Sequence, residues 1–179
     1  MIYKSYYNSP LGEMLIVSDN EKLMGVWIKD QKYYLDKIKE EIILRNDLDI
    51  IQKTIDWLNR YFNGEKPAIH ELQLAPRGSN FRKIVWNILC QIPYGETRTY
   101  GYIARKVVKI MNKEKMSAQA IGNAVGHNPI SVIIPCHRVV GENGNLTGYA
   151  GGIENKIKLL RIENVNMENL YIPRKGTAL

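Results

Sequence analysis

One short segment of the chain combines side chains that could carry out a nucleophilic reaction. Residues 133–141 read IIPCHRVVG, so Cys136 and His137 are neighbours within an apolar run. A cysteine attacks as the thiolate, and at its free pKa of roughly 8.5 only a few per cent is ionised at neutral pH. An adjacent imidazole, itself held by a carboxylate, can increase that fraction. Cys136 is therefore a candidate nucleophile, and the alternative is a buried core cysteine beside a chance neighbour.

The local structure of this segment decides how the pair could work. The apolar, β-branched run predicts an extended strand. Adjacent side chains of a strand point to opposite faces, so a direct contact between Cys136 and His137 is awkward. A bridging water or a kink near Pro135 would then be needed. Glu163, at the far end of a later predicted helix, is the candidate carboxylate.

Composition limits the class of protein. The chain has 179 residues, of which 45% are hydrophobic, enough for one domain or two small ones with a real core. No apolar run reaches the roughly 18 residues of a membrane span, and the first residues lack the layout of a signal peptide. Cys90 and Cys136 are therefore predicted to be free thiols in a reducing compartment, the cytoplasm. The three histidines show no ligand spacing, so we expect no metal and no cofactor.

Charge divides the sequence into two unequal halves. Residues 1–76 contain 10 Lys and Arg against 12 Asp and Glu, whereas residues 77–179 contain 15 against 6. The net charges are therefore −2 and +9, and such asymmetry is typical of a chain in which one half contacts a polyanion. A solvated basic surface that binds nothing is the alternative. Counterion release favours a polyphosphate partner.

The first part of the sequence predicts a small antiparallel sheet followed by a helix. Turn residues separate three β-rich runs: Ile2–Tyr7, Met14–Ser18 and Leu23–Ile28. Residues 49–64 have an apolar stripe at helical spacing, and Gly64 stands where a C-terminal cap would be. A connector with two prolines follows, and the charge changes sign there. We therefore predict an α+β protein with domains 1–76 and 77–179.

The second part predicts a mainly helical domain with a helix-turn-helix. Ser79 or Asn80 can cap its first helix, which ends near Cys90. Residues 99–111 and 117–128 predict two more helices with a short polar link, and small residues on the second would let its backbone approach DNA. The basic charge of this half supports that interpretation. Five residues are assigned to the DNA surface: Arg82, Lys83, Arg98, Gly101 and Arg138.

A glycine-rich loop precedes the last predicted helix. The sequence GYAGG places glycines at 148, 151 and 152, and their small size allows backbone to approach a flat ligand closely. Gly151 is therefore a candidate substrate contact. The helix begins at about Ile153, and Glu163 falls at its far end.

The segments NPISVIIPCHRVVG, GYAGG and LLRIE together resemble the O6-alkylguanine-DNA alkyltransferase family. The resemblance runs from about Phe81 to Glu163, with one offset inside the helix-turn-helix, and continues more loosely into the N-terminal part. It implies DNA repair, in which an alkyl group moves from O6-alkylguanine in double-stranded DNA to Cys136. O4-alkylthymine is a further candidate substrate.

The resemblance also implies roles for individual residues. Cys136 matches the alkyl acceptor, and His137 matches the base that acts on the thiol through a water. Glu163 matches the carboxylate that orients the imidazole. Asn128 matches the asparagine that ties the active-site segment to the recognition helix.

A second set of matching residues would form the guanine pocket. Tyr100 matches the tyrosine that donates to guanine N3 and helps to rotate the nucleotide out of the duplex. Tyr149 matches a pocket wall, and the backbone carbonyls of Cys136 and Val139 would accept from the guanine amine. Ala150 is often serine in relatives, but there the backbone N–H faces O6.

One position departs from the family. Many relatives have an arginine on the recognition helix that fills the gap left by the flipped base, and here the matching residue is Gln119. Glutamine is shorter and uncharged, although it can still donate to the orphaned base. The link between the two helices is also a few residues longer than in several relatives.

Three other functions compete with this interpretation: a binding-only relative, a helix-turn-helix regulator and a thiol hydrolase. Binding-only relatives lack the cysteine, and a regulator would gain nothing from PCHRV. We therefore predict a single-use repair methyltransferase. It is expected to act as a monomer, with no membrane association and no obligate protein partner.

Overall fold

The computed structural model describes residues 1–174, which form two compact units. The first unit contains residues 1–78 together with residues 129–133, and the second contains residues 79–128 and 134–174. Residues 129–133 therefore belong to the first unit, although the residues before and after them in the sequence belong to the second. In the part of the chain that is described, no helix is long and apolar enough to cross a membrane.

The first unit is built on a four-stranded sheet and one helix. Its elements are β1 (Ile2–Ser9), β2 (Gly12–Ser18), β3 (Leu23–Ile28), β4 (Ile42–Leu44) and α1 (Asp49–Phe62). The strand order is β3-β2-β1-β4, with β1, β2 and β3 antiparallel as predicted. β4 adds a short edge strand that runs parallel to β1, so the sheet is not antiparallel throughout. The predicted α+β class is confirmed.

Both faces of β2, one of the two inner strands of this sheet, are buried. Every residue from Met14 to Ser18 is buried. On one face Leu15 and Val17 pack in a cluster with Trp27 and the partly buried Leu35. Because successive residues of a strand alternate, Met14 faces the other side, where α1 packs against the sheet. Trp27 also explains a glycine: a Cβ at Gly25 would lie 1.9 Å from the Trp27 ring.

The segment 129–133 is held by backbone hydrogen bonds within the first unit. Val26 N–H donates to the Pro129 carbonyl at 2.8 Å, and Ser131 N–H donates to the Val26 carbonyl at 2.8 Å. The Ser131 hydroxyl donates to the buried Gln31 side chain at 3.0 Å. The chain just before the nucleophile is therefore fixed by pairing with β3, and Val132 keeps a left-handed φ of 72° there.

The second unit is mainly helical. Its elements are α2 (Asn80–Leu89), β5 (Arg98–Thr99), α3 (Tyr100–Met111), α4 (Ala118–Gly126), β6 (Val139–Val140) and α5 (Ile153–Ile162). Hydroxyl caps begin three of these helices, from Ser79 on α2, Thr99 on α3 and Ser117 on α4. The Trp86 indole donates to the Ala124 carbonyl at 2.9 Å, which fixes α2 against α4. The helices that the sequence predicted here are all present.

Two further features of this unit position the site. β5 pairs in parallel with β6, which brings the start of α3 beside the residues that follow the nucleophile. α5 packs through Leu160 against Val140 and Leu146 in a buried cluster. This packing places Glu163, the residue that caps α5, next to the segment that carries Cys136.

Candidate active site

Cys136 lies on a tight turn rather than on a strand. Residues Cys136–Arg138 form one turn of 3-10 helix, entered through Pro135 at φ −83° and ψ 61°. The Cys136 N–H donates to the Ile134 carbonyl at 2.8 Å, and the Arg138 N–H donates to the Pro135 carbonyl at 3.0 Å. The predicted extended strand was therefore wrong for these residues. Strand alternation no longer separates Cys136 from His137, because the kink near Pro135 redirects the chain.

The thiol of Cys136 is buried and held by an amide. Only 5% of the residue is exposed. The Asn128 amide nitrogen donates to the Ile134 carbonyl at 2.8 Å and to Sγ at 3.2 Å. Burial raises the pKa of the thiol, and the Asn128 hydrogen bond and the Lys156 charge only partly oppose that effect. The resting group is therefore a thiol that needs a base. Asn128 also joins the end of α4 to the nucleophile turn.

His137, the residue after Cys136, forms a fully buried pair with the Glu163 carboxylate. His137 Nε2 is 2.6 Å from Glu163 Oε1. Burial alone would raise the pKa of Glu163. The hydrogen bonds and charges of His137 and Arg138 together outweigh that effect and lower the pKa to about 2. The carboxylate is thus ionised and accepts only, so Nε2 carries the proton and the neutral ring has its lone pair on Nδ1. Burial lowers the pKa of His137, which keeps the imidazole a neutral base.

Arg138 does not face solvent, which contradicts its assignment to the DNA surface. The residue is 6% exposed. Its guanidinium donates to both oxygens of Glu163, at 2.9 and 3.0 Å, and to the Ile92 carbonyl at 2.6 Å. A buried cation needs such partners to offset its desolvation. Charge counting could not distinguish this inward arginine from the exposed ones.

A buried lysine is hydrogen-bonded to one of the predicted pocket residues, Val139, and to the loop that carries others. Lys156, on α5, donates to the carbonyls of Val139 at 2.6 Å, Thr147 at 2.8 Å and Gly148 at 3.3 Å. Its ammonium therefore joins the strand after the nucleophile to the start of the glycine-rich loop. The Val139 carbonyl, predicted to accept from the guanine amine, already receives this bond and keeps its second lone pair for a substrate.

Tyr100 is connected to the same loop through Thr147, which is also a partner of Lys156. Tyr100, the first residue of α3, is hydrogen-bonded to Thr147, and burial raises its pKa to about 12. Its hydroxyl therefore stays protonated and can serve as a donor. Tyr149, Ala150 and Gly151 are half-buried in the loop directly before α5.

The other predicted DNA-contact residues lie on α2, α3, α4 and β5 of the second unit. Gln119 is exposed in the first turn of α4, and Lys83 is exposed on α2. Arg82 donates to the Asn123 side chain of α4 at 3.4 Å. Arg98 pairs with Glu96 at 2.6 Å. The remaining member of the set, half-buried in the first turn of α3, is Gly101.

Comparison with known proteins gives the same assignment for residues 2–76 and 80–165. Residues 80–165 match the 6-O-methylguanine DNA methyltransferase DNA binding domain, and residues 2–76 match the ribonuclease-like domain of the same proteins. A Haemophilus influenzae methylated-DNA–protein-cysteine methyltransferase is 38% identical over 92% of this chain and 87% of its own length. The chain belongs to the 6-O-methylguanine DNA methyltransferase family. The resemblance stated from the sequence is confirmed.

Other relatives of this methyltransferase extend the comparison. A methylated-DNA–protein-cysteine methyltransferase of Methanosarcina acetivorans is 40% identical over 90% of this chain and 98% of its own. The crystal structure of Mycobacterium tuberculosis OGT in complex with DNA has a TM-score of 0.78 and 36% identity, and covers 90% of this chain and 92% of that chain. The shared fold therefore includes both units of the methyltransferase.

Lys156, which donates to three backbone carbonyls of this site, was not predicted from the sequence. The signal was present, because Lys156 stands between Ile153 and Leu160 on the apolar stripe of α5, where a charged side chain needs buried partners. Arg138 was noticed but assigned to the wrong environment. Both errors concern cations whose partners are backbone carbonyls or a distant carboxylate, and sequence spacing does not specify such partners.

Proposed function

We infer that this methyltransferase repairs DNA by accepting the alkyl group of O6-alkylguanine on the Sγ atom of Cys136. The observation that carries this inference is the buried thiol held by Asn128 beside the His137–Glu163 pair, in a member of the 6-O-methylguanine DNA methyltransferase family. A buried neutral base next to a buried thiol supports one nucleophilic step in a site from which bulk water is excluded.

The proposed chemistry balances as a single displacement. The thiol proton leaves toward Nδ1 of His137 through a bridging water, and Sγ attacks the alkyl carbon. As the sulfur–carbon bond forms, the carbon–O6 bond breaks and its electron pair passes into the guanine ring. Tyr100, with its hydroxyl protonated, would donate to guanine N3 and stabilise that developing charge. In the net reaction the thiol proton ends on guanine.

The product explains why the protein should act once. Alkyl transfer makes a thioether, which has no carbonyl for water to attack, unlike the thioester of a thiol hydrolase. Each molecule would therefore remove one alkyl group and remain modified. We propose that O4-alkylthymine is a further substrate, that no cofactor takes part and that the protein acts as a monomer in the cytoplasm. The two free cysteines are consistent with a reducing compartment.

DNA is the proposed partner, and the damaged base would enter the pocket only after flipping. A stacked base is out of reach of a buried thiol, so the nucleotide must rotate out of the duplex. We propose that α4 approaches the groove with Gln119 leading and that four residues support it: Arg82, Lys83, Arg98 and Gly101. The basic charge of residues 77–179 and the DNA complex of the Mycobacterium tuberculosis relative support this placement.

A direct test of the function is the intact mass of the protein after incubation with duplex DNA that contains O6-methylguanine. We expect each molecule to gain one methyl group, with peptide mapping that places it on Cys136 and with guanine restored in the DNA. Tight binding with an unchanged protein mass would instead identify a binding-only protein. Repeated turnover without a stable protein adduct would identify a hydrolase.

The exposed position of Gln119 gives a prediction about flipping. A side chain inserted in the duplex offsets part of an unstacking cost of a few kcal/mol, so Gln119→Ala should slow repair of duplex DNA about tenfold. Transfer from the free base O6-benzylguanine should change much less, because no flipping is needed there. Gln119→Arg should equal or exceed the native duplex rate.

The matched control for this prediction is Gln91→Ala, which removes another exposed glutamine of the second unit. It should leave both rates unchanged. Single-turnover rates on duplex and free base, measured side by side, separate flipping from chemistry. Equal duplex rates for native protein and Gln119→Ala would mean that another residue fills the gap.

A further inference from the structure

The carboxylate of Glu163 occupies an electrostatically unfavourable place. The residue is 2% exposed and caps the C-terminal end of α5, where the helix dipole presents its negative pole. Besides the His137 ring, it accepts from the Gly95 N–H at 3.0 Å and from the Arg138 guanidinium. A buried carboxylate at such a position needs a permanent positive charge, and a histidine that must act as a base cannot supply it.

Arg138 supplies this positive charge. Its planar guanidinium makes several directed hydrogen bonds at once, which the ammonium of a lysine could not reproduce. Its Nε and Nη2 atoms reach the two oxygens of Glu163 side-on, while Nη1 donates to the Ile92 carbonyl. The guanidinium also lies 5.7 Å from the centroid of the Tyr94 ring. One planar cation thus joins the nucleophile turn, the loop after α2 and the end of α5.

We propose that Arg138 is a positioning residue of the alkyl transfer, which fixes Glu163 in orientation and balances its charge so that His137 remains a neutral proton acceptor. This role rests on the proposed function. In a histidine–carboxylate pair alone, the negative charge would favour the imidazolium. Here the carboxylate is already paired, so it can orient the ring with less tendency to charge it.

The charged and titratable groups around the imidazole agree with this assignment. Glu163 favours the imidazolium, whereas burial, Arg138 and Lys156 disfavour it. The neighbouring Cys136 is a thiol at rest. Two further titratable side chains of the described residues feel the Arg138 charge, Tyr94 and Cys90, and burial raises the pKa of each. Arg138 therefore places a permanent positive charge in direct hydrogen-bond contact with Glu163. Its removal changes the charge balance of the His137–Glu163 pair.

The test is the pH dependence of single-turnover transfer from O6-benzylguanine, which requires no DNA. In Arg138→Met, Glu163 loses its permanently charged partner and keeps its hydrogen bond to the His137 ring, so the imidazole pKa should rise. Transfer should then fall about tenfold or more near pH 6 and much less near pH 8, because one pKa unit corresponds to tenfold in the neutral fraction. In Arg138→Met/Glu163→Gln both charges are gone. The pH below which the transfer rate falls, the acid limb of the profile, should then be as low as in the native protein.

The matched control is Arg161→Met, which removes an exposed guanidinium from the last turn of α5 and should leave the profile unchanged. A merely structural role for Arg138 predicts a loss of rate that is equal at all pH values, and that result would overturn the proposal. If Arg138→Met does not fold, NMR titration of His137 in the native protein decides, with the signal assigned by its loss in His137→Gln. An imidazole that titrates above its ordinary value of roughly 6.5 would also overturn it.

These outcomes remain separate from those of the proposed function. If native protein transfers no alkyl group to Cys136, the function is wrong. If it transfers the group but the acid limb of Arg138→Met is unmoved, only the role of Arg138 is wrong.

Discussion

Cys136→Ala is expected to abolish alkyl transfer while it preserves binding to alkylated DNA. The substitution removes the acceptor atom, so no methylated protein should be detected by intact mass. The helix-turn-helix and the loop before α5 do not contain this residue, and their contacts should persist. The cost to folding should be small, because Asn128 keeps its hydrogen bond to the Ile134 carbonyl.

Cys90→Ala is the control, because Cys90 is the other of the two cysteines in the chain. It caps the end of α2, is half-buried and has a pKa raised to about 11 by burial. Burial raises the pKa of Cys136 as well, so acidity does not distinguish the two thiols. The neighbouring base distinguishes them, since His137 follows Cys136 directly. Transfer that survives in Cys136→Ala and disappears in Cys90→Ala would refute the assignment of the nucleophile.

Local signals in the sequence predicted much of the fold. Three helices of the second unit begin at hydroxyl caps, among them Ser79 and Ser117, and their apolar stripes have helical spacing, so their positions follow from residue type. The position of Glu163 at the end of α5 followed from the same reasoning. Chain-local rules are sufficient wherever an element is stabilised by its own side chains.

The errors occurred where distant partners determine the local structure. β4 is three residues long, and its pairing with β1 is parallel and distant in sequence, so periodicity could not reveal it. The run IIPCHRVV has the composition of a strand, but the Asn128 bond to Ile134 and the Glu163 contacts of His137 and Arg138 stabilise a turn. The energy of these contacts comes from residues that local propensity does not include.

In the site as well, some residues could be predicted from the sequence, whereas others depend on partners that are distant in the chain. The residue pattern suggested Cys136, His137 and Glu163, the resemblance added Asn128, and the structure links Asn128 to Cys136 and His137 to Glu163. It did not supply the two cations that hold the surrounding backbone and carboxylate, Arg138 and Lys156. Their roles depend on which carbonyls lie within reach, and that information exists only in the folded chain.

Lys156→Met is expected to cause the second largest loss of transfer. Methionine has a similar length and apolar stem, so it fills the space but leaves the carbonyls of Val139, Thr147 and Gly148 without their shared donor. Hydrogen bonds to a charged group are worth about 1.5–3 kcal/mol each, so the free energy of unfolding should fall by about 3 kcal/mol after partial relaxation. Because the two pocket segments lose their common anchor, transfer from O6-benzylguanine should slow about 100-fold.

The pH dependence separates this role from simple packing. Burial lowers the pKa of Lys156 to about 8, well below that of an ordinary lysine. As the pH rises through about 8, the neutral amine keeps only two N–H donors for three carbonyls, so the native rate should fall on the alkaline side. Lys156→Met has no such proton to lose, and its slower rate should show no decline there.

Lys158→Met is the matched control, since it removes an exposed lysine from the same helix and should change neither the rate nor its pH dependence. The measurement is the single-turnover rate against pH, with thermal unfolding of each variant followed in parallel. An alkaline limb that persists in Lys156→Met must come from another group, and Lys156 would then act only by filling space. If Lys156→Met is about 100-fold slower and no longer loses rate at alkaline pH, the Lys156 ammonium holds the two pocket segments in position around the base.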